Sequence, residues 1–430
     1  MKKFILVLAL LAGSLTNYAQ KSTAGFYLIK AGKMYDAETN TFVTDQEILI
    51  SGNTIQAVGP RLKVPKNAQI LDAHNATVTP GLIDAHTHLL FKQKQNEGLE
   101  VGSKIPEAKR LQQGQQFADA LLRTGFTTLR DLGNSGQYLD QELQKQLAQD
   151  KKPTPRLYLS GPILSPPGGQ FFKLPPADSF IIKQEYLIIK NKKDAYQAVT
   201  QQAQKKVNVI KVCLDTDYRQ MGAEEINAIV AAAKEKKLPV TAHSTSDKTA
   251  RLAVLAGVNG IEHGYSLSDS TIMLMGQRGV YLVPTDVSRE KAMLLVAGIG
   301  LKGKEAEDAA NNFLQTNHDR IKKARQYKVM LVAGSDFYFD MPNLTRAEGS
   351  KDVLVAYLEA GLTPAEVLQT ATINAAKAIG NANKTGILKK GMAADLVIFN
   401  GDLEKNFTQA LNDVQLIIKD GQVVKPENKE

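Results

Sequence analysis

Two kinds of hydrophobic spacing alternate along the chain. Between residues 25 and 79, short apolar stretches (Gly25-Phe26-Tyr27-Leu28-Ile29-Lys30, Glu47-Ile48-Leu49-Ile50, Thr54-Ile55-Gln56-Ala57-Val58) are broken by turn residues such as Ser51-Gly52-Asn53. The same texture returns at the far end in Asp395-Leu396-Val397-Ile398-Phe399, Val414-Gln415-Leu416-Ile417-Ile418 and Gln422-Val423-Val424. Two β-rich ends flanking a different middle predict one small β-sandwich domain built from both chain ends, 20–79 plus 385–430. In the middle, 80–384, apolar runs expected as strands alternate with amphipathic stretches. The runs are 82–85, 127–130, 156–159, 209–212, 240–243, 260–263, 280–283 and 329–332. Helical spacing follows most of them, as at 224–237 and 363–379. The latter opens on Thr363-Pro364-Ala365-Glu366: an N-cap, a proline at the first helical position and a capping-box glutamate. Eight strands interleaved with helices predict an α/β fold, a TIM-like (β/α)8 barrel. A doubly wound open sheet is the rival, but no Gly-rich dinucleotide fingerprint follows the first strand.

The first residues change the expected compartment. Lys2 and Lys3 precede an apolar run from Phe4 to Ala12, followed by the small and polar Gly13-Ser14-Leu15-Thr16-Asn17-Tyr18-Ala19. That order predicts a secretory signal peptide, residues 1–19, and a periplasmic or secreted mature protein. The run is too short to span a bilayer, and no later apolar run comes near 18 residues, so no membrane span is expected. Cys213 is the single cysteine, which excludes an intramolecular disulfide and leaves stability to a large core. The formal charge of +9 is scattered in short patches such as Lys190-Asn191-Lys192-Lys193. Solvated faces explain such patches better than a nucleic-acid groove, and with no Trp and no aromatic-basic interleaving no nucleic-acid partner is expected. The expected partner is a small-molecule substrate, and self-association into a homo-oligomer stays open.

Four of the six histidines fall at ends of expected strands. His86 and His88 form H-x-H after the first, His243 ends the fifth, and His263 ends the sixth. Asp336 follows the eighth in Ala333-Gly334-Ser335-Asp336. In a barrel the carboxyl ends of the strands converge on one face, so these distant residues would share one pocket. On an extended segment residues i and i+2 point the same way, so both imidazoles of H-x-H can reach one ion. Imidazoles with a carboxylate suit Zn²⁺ and similar divalent ions. Any one of these histidines alone reads as a hydrogen-bonded structural residue; the joint order is what signals a site. His74 and His318 fall outside it, in an expected loop and helix. Lys211 sits among Val209, Ile210 and Val212, where an uncompensated ammonium is costly. Beside four histidines and an aspartate, a carbamate formed with CO₂ would turn it into an anion able to bridge two ions. Two ions sharing a hydroxide would supply a nucleophile and polarise a carbonyl, with Asp336 as general base and then acid.

These segments resemble the amidohydrolase superfamily, and within it the imidazolonepropionase-like and prolidase-like (Xaa-Pro or Xaa-Arg dipeptidase-like) members. The resemblance rests on Thr79-Pro80-Gly81-Leu82-Ile83-Asp84-Ala85-His86-Thr87-His88, Gly125-Phe126-Thr127-Thr128-Leu129-Arg130-Asp131, Val209-Ile210-Lys211-Val212, Ala242-His243, Ile261-Glu262-His263-Gly264, Gly334-Ser335-Asp336, Ala371-Thr372-Ile373-Asn374-Ala375-Ala376 and Gly391-Met392-Ala393-Ala394-Asp395-Leu396-Val397. It implies a binuclear site with His86, His88 and Asp336 on one ion, His243 and His263 on the other, and Lys211 bridging as an N6-carboxylysine. Two positions depart from the pattern. Where relatives carry Gly-Gly-His after the third strand, this chain has Pro167-Gly168-Gly169-Gln170, and Thr245 stands where a Tyr is common. Gln170 and Thr245 are therefore expected to line a rewritten substrate pocket, with Arg289 as a candidate carboxylate partner. Segment 171–189 is a candidate lid or pocket wall. The expected activity is hydrolysis of an amide or peptide-like C–N bond, as in a dipeptide or N-acyl amino acid. The alternatives are a cyclic amide or lactone hydrolase, and a non-catalytic periplasmic binding protein on an enzyme barrel.

Overall fold

The computed structural model describes residues 25–94, 97–171, 174–216, 219–341 and 344–426. The expected leader, 1–19, lies outside the described residues. Among them, no helix is long and apolar enough to cross a membrane.

The two chain ends share one seven-stranded mixed sheet. Its order is Gln422–Val424, Val414–Lys419, Leu396–Asn400, Gln69–Pro80, Phe26–Asp36, Thr41–Ser51 and Thr54–Gly59. The ladder curls until its last strand meets the segment just ahead of Leu396: Ile55 N donates to Met392 O at 2.9 Å and Ala394 N to Asn53 O at 2.9 Å. Its inner face holds a core of its own, including Ile29, Ile48, Ile50, Val78, Leu396 and Ile418. The expected sandwich thus takes the form of one folded-over ladder, and its central strand, Gln69–Pro80, was not among the runs read from the sequence. His74 lies on that strand rather than in a loop, exposed at the surface.

Between the ends, strands run parallel and alternate with helices. Leu82–Thr87, Phe126–Asp131 and Arg156–Leu159 form one sheet. Tyr186–Ile188, Ile163–Ser165, Ile210–Cys213, Val240–Ser244, Gly260–His263 and Tyr281–Val283 form a second. Backbone hydrogen bonds link the two pieces at both margins. Asn208 N donates to Leu159 O at 2.8 Å; at the other margin Val332 N donates to Leu282 O (2.9 Å) and Ala85 N to Ala333 O (2.9 Å). The expected eighth strand, 329–332, is reduced to a bridge between Leu331 and Leu282. Helices cover the outside of these strands, and their apolar faces (Ile226, Ile229, Val254, Ile272 and Ile321 among them) join the main core. Serines cap three consecutive helices: Ser246, Ser268 and Ser288 each accept an N–H from three residues on.

Candidate functional site

The site forms where the carboxyl ends of these strands meet. His86 belongs to Leu82–Thr87 and His88 follows it directly, their rings 5.3 Å apart, as the period of two requires. His263 ends Gly260–His263 with its ring 5.1 Å from His86 and 4.6 Å from His243. Lys211 lies buried in Ile210–Cys213, its Nζ 3.3 Å from His86 Nε2. Asp336 is drawn in by its own backbone, its N–H donating to His86 O at 2.8 Å. That approach requires Gly334, since a Cβ there would fall 2.4 Å from Val283 and 2.7 Å from His86 Cβ. His263, Thr285 and Asp336 adopt left-handed φ values of 68°, 56° and 49°. Non-glycine residues pay about 1 kcal/mol or more for that conformation, and such strain gathers at functional sites.

Counting protons shows what this cluster can hold. His86 Nδ1 faces Glu262 Oε2 at 2.7 Å, so it carries the proton and leaves the Nε2 lone pair free. His88 Nδ1 donates to Gly133 O at 2.8 Å, with the same consequence. His263 Nδ1 is 2.8 Å from Thr285 Oγ, whose own proton goes to Pro284 O, so this ring too is protonated at Nδ1. Asp336 Oδ1 then lies 3.2 Å from His88 Nε2 and 3.5 Å from His86 Nε2, buried and without a hydrogen-bond partner among the described residues. Two Nε2 atoms and a carboxylate oxygen thus converge, with Lys211 Nζ the neighbouring N–H group at 3.3 Å from His86 Nε2. Ligand bonds near 2.1 Å in tetrahedral geometry place donor atoms about 3.4 Å apart, so the spacing suits a divalent cation. His86, His263 and Asp336 also offer ligand atoms all within 4.8 Å of one another.

Burial sets the charge states. It pulls His86 and His243 down to about 4 and His263 further below its usual range, so all three are neutral near pH 7 and available as ligands. It also lowers the Lys211 ammonium, and the carboxylates of Glu262 and Asp336 offset this only in part. Burial alone would raise Glu262, but Arg130 and His86 outweigh it and bring the carboxyl to about 2. Glu262, bonded also by Arg130 at 2.8 Å and by Thr241, is thus a fixed anion that sets the His86 tautomer. Spacing alone did not mark it, because a glutamate beside a strand-end histidine is legible as a partner only once the neighbouring strands are known.

A cavity of about 190 Å³ opens over the cluster. Beyond His86, His88, Lys211, His243, His263 and Asp336, its wall consists of Phe91, Leu99, Asn134, Ile163, Gln170, Tyr265 and Tyr338. Gln170 therefore lines it as expected. Thr245 does not: its N–H and hydroxyl both turn to Asp215 Oδ1, at 2.9 and 3.2 Å, which holds the side chain behind His243. Arg289 is likewise outside. It begins the Ser288-capped helix Arg289–Gly298, is exposed, and binds Asn311. Two aromatics went unread in the sequence. Tyr265 stacks on His263 and reaches Thr285 Oγ at 3.2 Å; Tyr338 stands edge-on to His88, its ring centroid 5.8 Å away. Each follows a cluster residue by two positions, a spacing too common to single out. Among the described residues, none of segment 171–189 lines the cavity; its helix Phe180–Glu185 leads into Tyr186–Ile188, which pairs with Ile163–Ser165 behind the lining Ile163.

The model of the Amidohydrolase family matches residues 77–425. An imidazolonepropionase of Shewanella frigidimarina is 25% identical over 88% of this chain and 92% of its own length. Among solved structures, a candidate prolidase from Bifidobacterium longum is 26% identical, with a TM-score of 0.75, over 95% of this chain and 97% of that one. An Aspergillus niger ochratoxinase, 21% identical with a TM-score of 0.78 over 94% and 96%, shares the fold. With the match spanning the strands, the histidine cluster and the closing sheet alike, the chain belongs to the amidohydrolase family.

Proposed function

We propose that the protein is an exported, metal-dependent hydrolase that cleaves an amide C–N bond in a small substrate. Its scaffold is read as a (β/α)8 barrel over 80–384, closed through segment 329–333, with the chain ends as a companion β domain. The observation that carries the metal reading is the proton count around Asp336: two Nε2 lone pairs and an unpartnered buried oxygen within 3.5 Å. His86, His88 and Asp336 would hold one divalent ion, and His243 and His263 a second. Lys211 would lie between them as a carbamate, in which Nζ bonds to CO₂ carbon and loses a proton. The donors are imidazole and carboxylate, and Cys213 turns its thiol to Asp215 O, a set suited to zinc. Such ions lower the pKa of water and polarise a carbonyl.

The chain's own residues supply the rest. Asp336 takes a proton from the attacking water as its oxygen bonds to the carbonyl carbon. It then returns that proton to the leaving nitrogen as the C–N bond breaks, a role contributing about 10²–10⁴-fold in many enzymes. Glu262 and Thr285 keep His86 and His263 in the tautomers that leave Nε2 open. Phe91, Leu99 and Ile163 offer an apolar wall that limits water around the substrate.

A dipeptide or N-acyl amino acid is the leading substrate class. Opening of a cyclic amide is the second reading, favoured by the small cavity and by relatives named for an imidazolone. Elemental analysis tests the metal reading: loaded protein should hold close to two ions per chain, and Lys211→Ala about one. Saturation of the unaltered protein at a single ion would contradict it.

A further inference from the structure

Beyond the histidines, the cavity wall carries a small uncharged network. Asn134 Nδ2 donates to the Tyr186 hydroxyl at 3.3 Å, and that hydroxyl donates to Gln170 Oε1 at 3.2 Å. Among the described residues, Gln170 Nε2 and Asn134 Oδ1 then have no partner, so the network presents a donor group at Gln170 and an acceptor at Asn134. Exchanging the amide orientations swaps the two ends and leaves the same offer. Gln170 reaches Tyr186 because Gly169 has a φ of 63° and no Cβ, which would sit 2.7 Å from the Tyr186 ring.

The network is held from behind. Arg110 and Glu185, both fully buried, pair at 2.8 Å. Arg110 also binds the backbone carbonyl of Asn134, and Glu185 accepts the Gly136 N–H at 2.9 Å while immediately preceding Tyr186 in the chain. One ion pair thus fixes both arms. Among the described lining residues, Lys211 is the single Lys or Arg, and it belongs to the histidine cluster. Arg219 lies beside the same loop, but its guanidinium is bonded to Pro167 O and does not line the cavity.

We propose that Asn134, Tyr186 and Gln170 form a neutral recognition arm that selects substrates presenting an uncharged amide, rather than a carboxylate, away from the scissile bond. An amide brings a donor and an acceptor and satisfies both ends. A carboxylate brings acceptors alone; it would face Asn134 Oδ1 with like polarity and leave its charge unpaired. The inference deepens the hydrolase reading and rests on it for the meaning of "substrate", so its test reads binding rather than turnover.

The probes are N-acetylproline and N-acetylprolinamide, identical but for the terminal group, titrated calorimetrically into the metal-loaded full chain. The amide should bind at least about tenfold more tightly. Gln170→Lys, at a half-buried cavity position, should move the amide-to-acid ratio by about tenfold or more toward the acid. Any carboxylate contact with the ions is common to both proteins and cancels in that comparison. Tyr186→Phe keeps the ring and should erode the amide preference several-fold, with metal content and melting temperature unchanged. An unmoved ratio in Gln170→Lys, an intact preference in Tyr186→Phe, or failure of both probes to bind the unaltered protein would each overturn the arm. Binding of the amide with the expected preference but no hydrolysis of any amide would leave the arm standing and count against the hydrolase reading alone.

Discussion

Glu262 shows how much of the cluster depends on a residue that would touch no substrate. Three donors converge on its carboxylate: His86 Nδ1, Arg130 Nη2 and Thr241 Oγ. Replacing it with glutamine keeps the shape, removes the charge, and lets the amide end face His86 with a donor. The His86 tautomer is then no longer enforced. Glu262→Gln should therefore weaken metal affinity about 10–100-fold, as outer partners of ligating histidines commonly do. Chelator competition measures this directly, and an unchanged affinity would remove Glu262 from the site's support. At this scale the sequence was informative where chemistry is rare and silent where it is common. Four strand-end histidines and Asp336 stood out because such groups seldom recur in register. Tyr265, Tyr338 and Asn134 did not, since aromatics and amides fill loops everywhere. Thr245 was misread because its partner, Asp215, comes from another strand end thirty positions earlier in the chain.

At the scale of elements, seven of the eight strands expected in the middle region fall within a residue or two of their place, the eighth is absorbed by its surroundings, and the short Ile163–Ser165 and Tyr186–Ile188 gave no periodic signal. Ala333 and Gly334 have little side chain to fill a ladder, and the segment instead threads between Leu282 and Ala85 by three hydrogen bonds before turning at Asp336. The helix expected over 363–379 is divided into Pro364–Thr370 and Ile373–Ala378 for a related reason. Thr370 O and Ala371 O are needed by Ala333 N (3.0 Å) and Ile83 N (2.8 Å), so tertiary pairing outweighs local helix propensity. Its start followed the sequence, with Thr363 and Glu366 forming the capping box. The Arg110–Glu185 pair joins the helix Glu107–Arg123 to the helix Phe180–Glu185, far apart in the chain and invisible to any local pattern. Arg110→Met would strand a buried carboxylate, at a cost of about 3–5 kcal/mol. A urea titration should show that loss, and the double variant Arg110→Met with Glu185→Leu should recover much of it. A single variant as stable as the parent would mean that the pair does not hold the wall.

Across the whole molecule, the β-rich ends are tied to the foot of the middle region. Arg156 on Arg156–Leu159 reaches Asp395 at 2.7 Å and Asp420 at 2.6 Å, and buried Lys419 meets Asp395 at 3.3 Å. These pairs bring the closing part of the chain to the amino end of Arg156–Leu159, away from the carboxyl ends of the strands. That division leaves the carboxyl ends free to carry chemistry, which is where all six expected metal-binding residues come together. The sheet shared by both chain ends was legible because strand spacing returned after about 300 residues of a different texture. Its curl was not, because backbone pairing between Ile55 and Met392 leaves no mark in either segment. The central claim, that this assembly hydrolyses an amide C–N bond and needs bound metal to do so, is tested by one assay. Protein stripped and reloaded with zinc is offered a panel of dipeptides, N-acyl amino acids, cyclic amides and lactones, with Asp336→Asn alongside. The reloaded protein should turn over at least one amide, the stripped protein none, and Asp336→Asn should lose about 10²-fold or more. Fully metal-loaded protein that cleaves no amide, or stripped protein that cleaves one as fast, would contradict that claim.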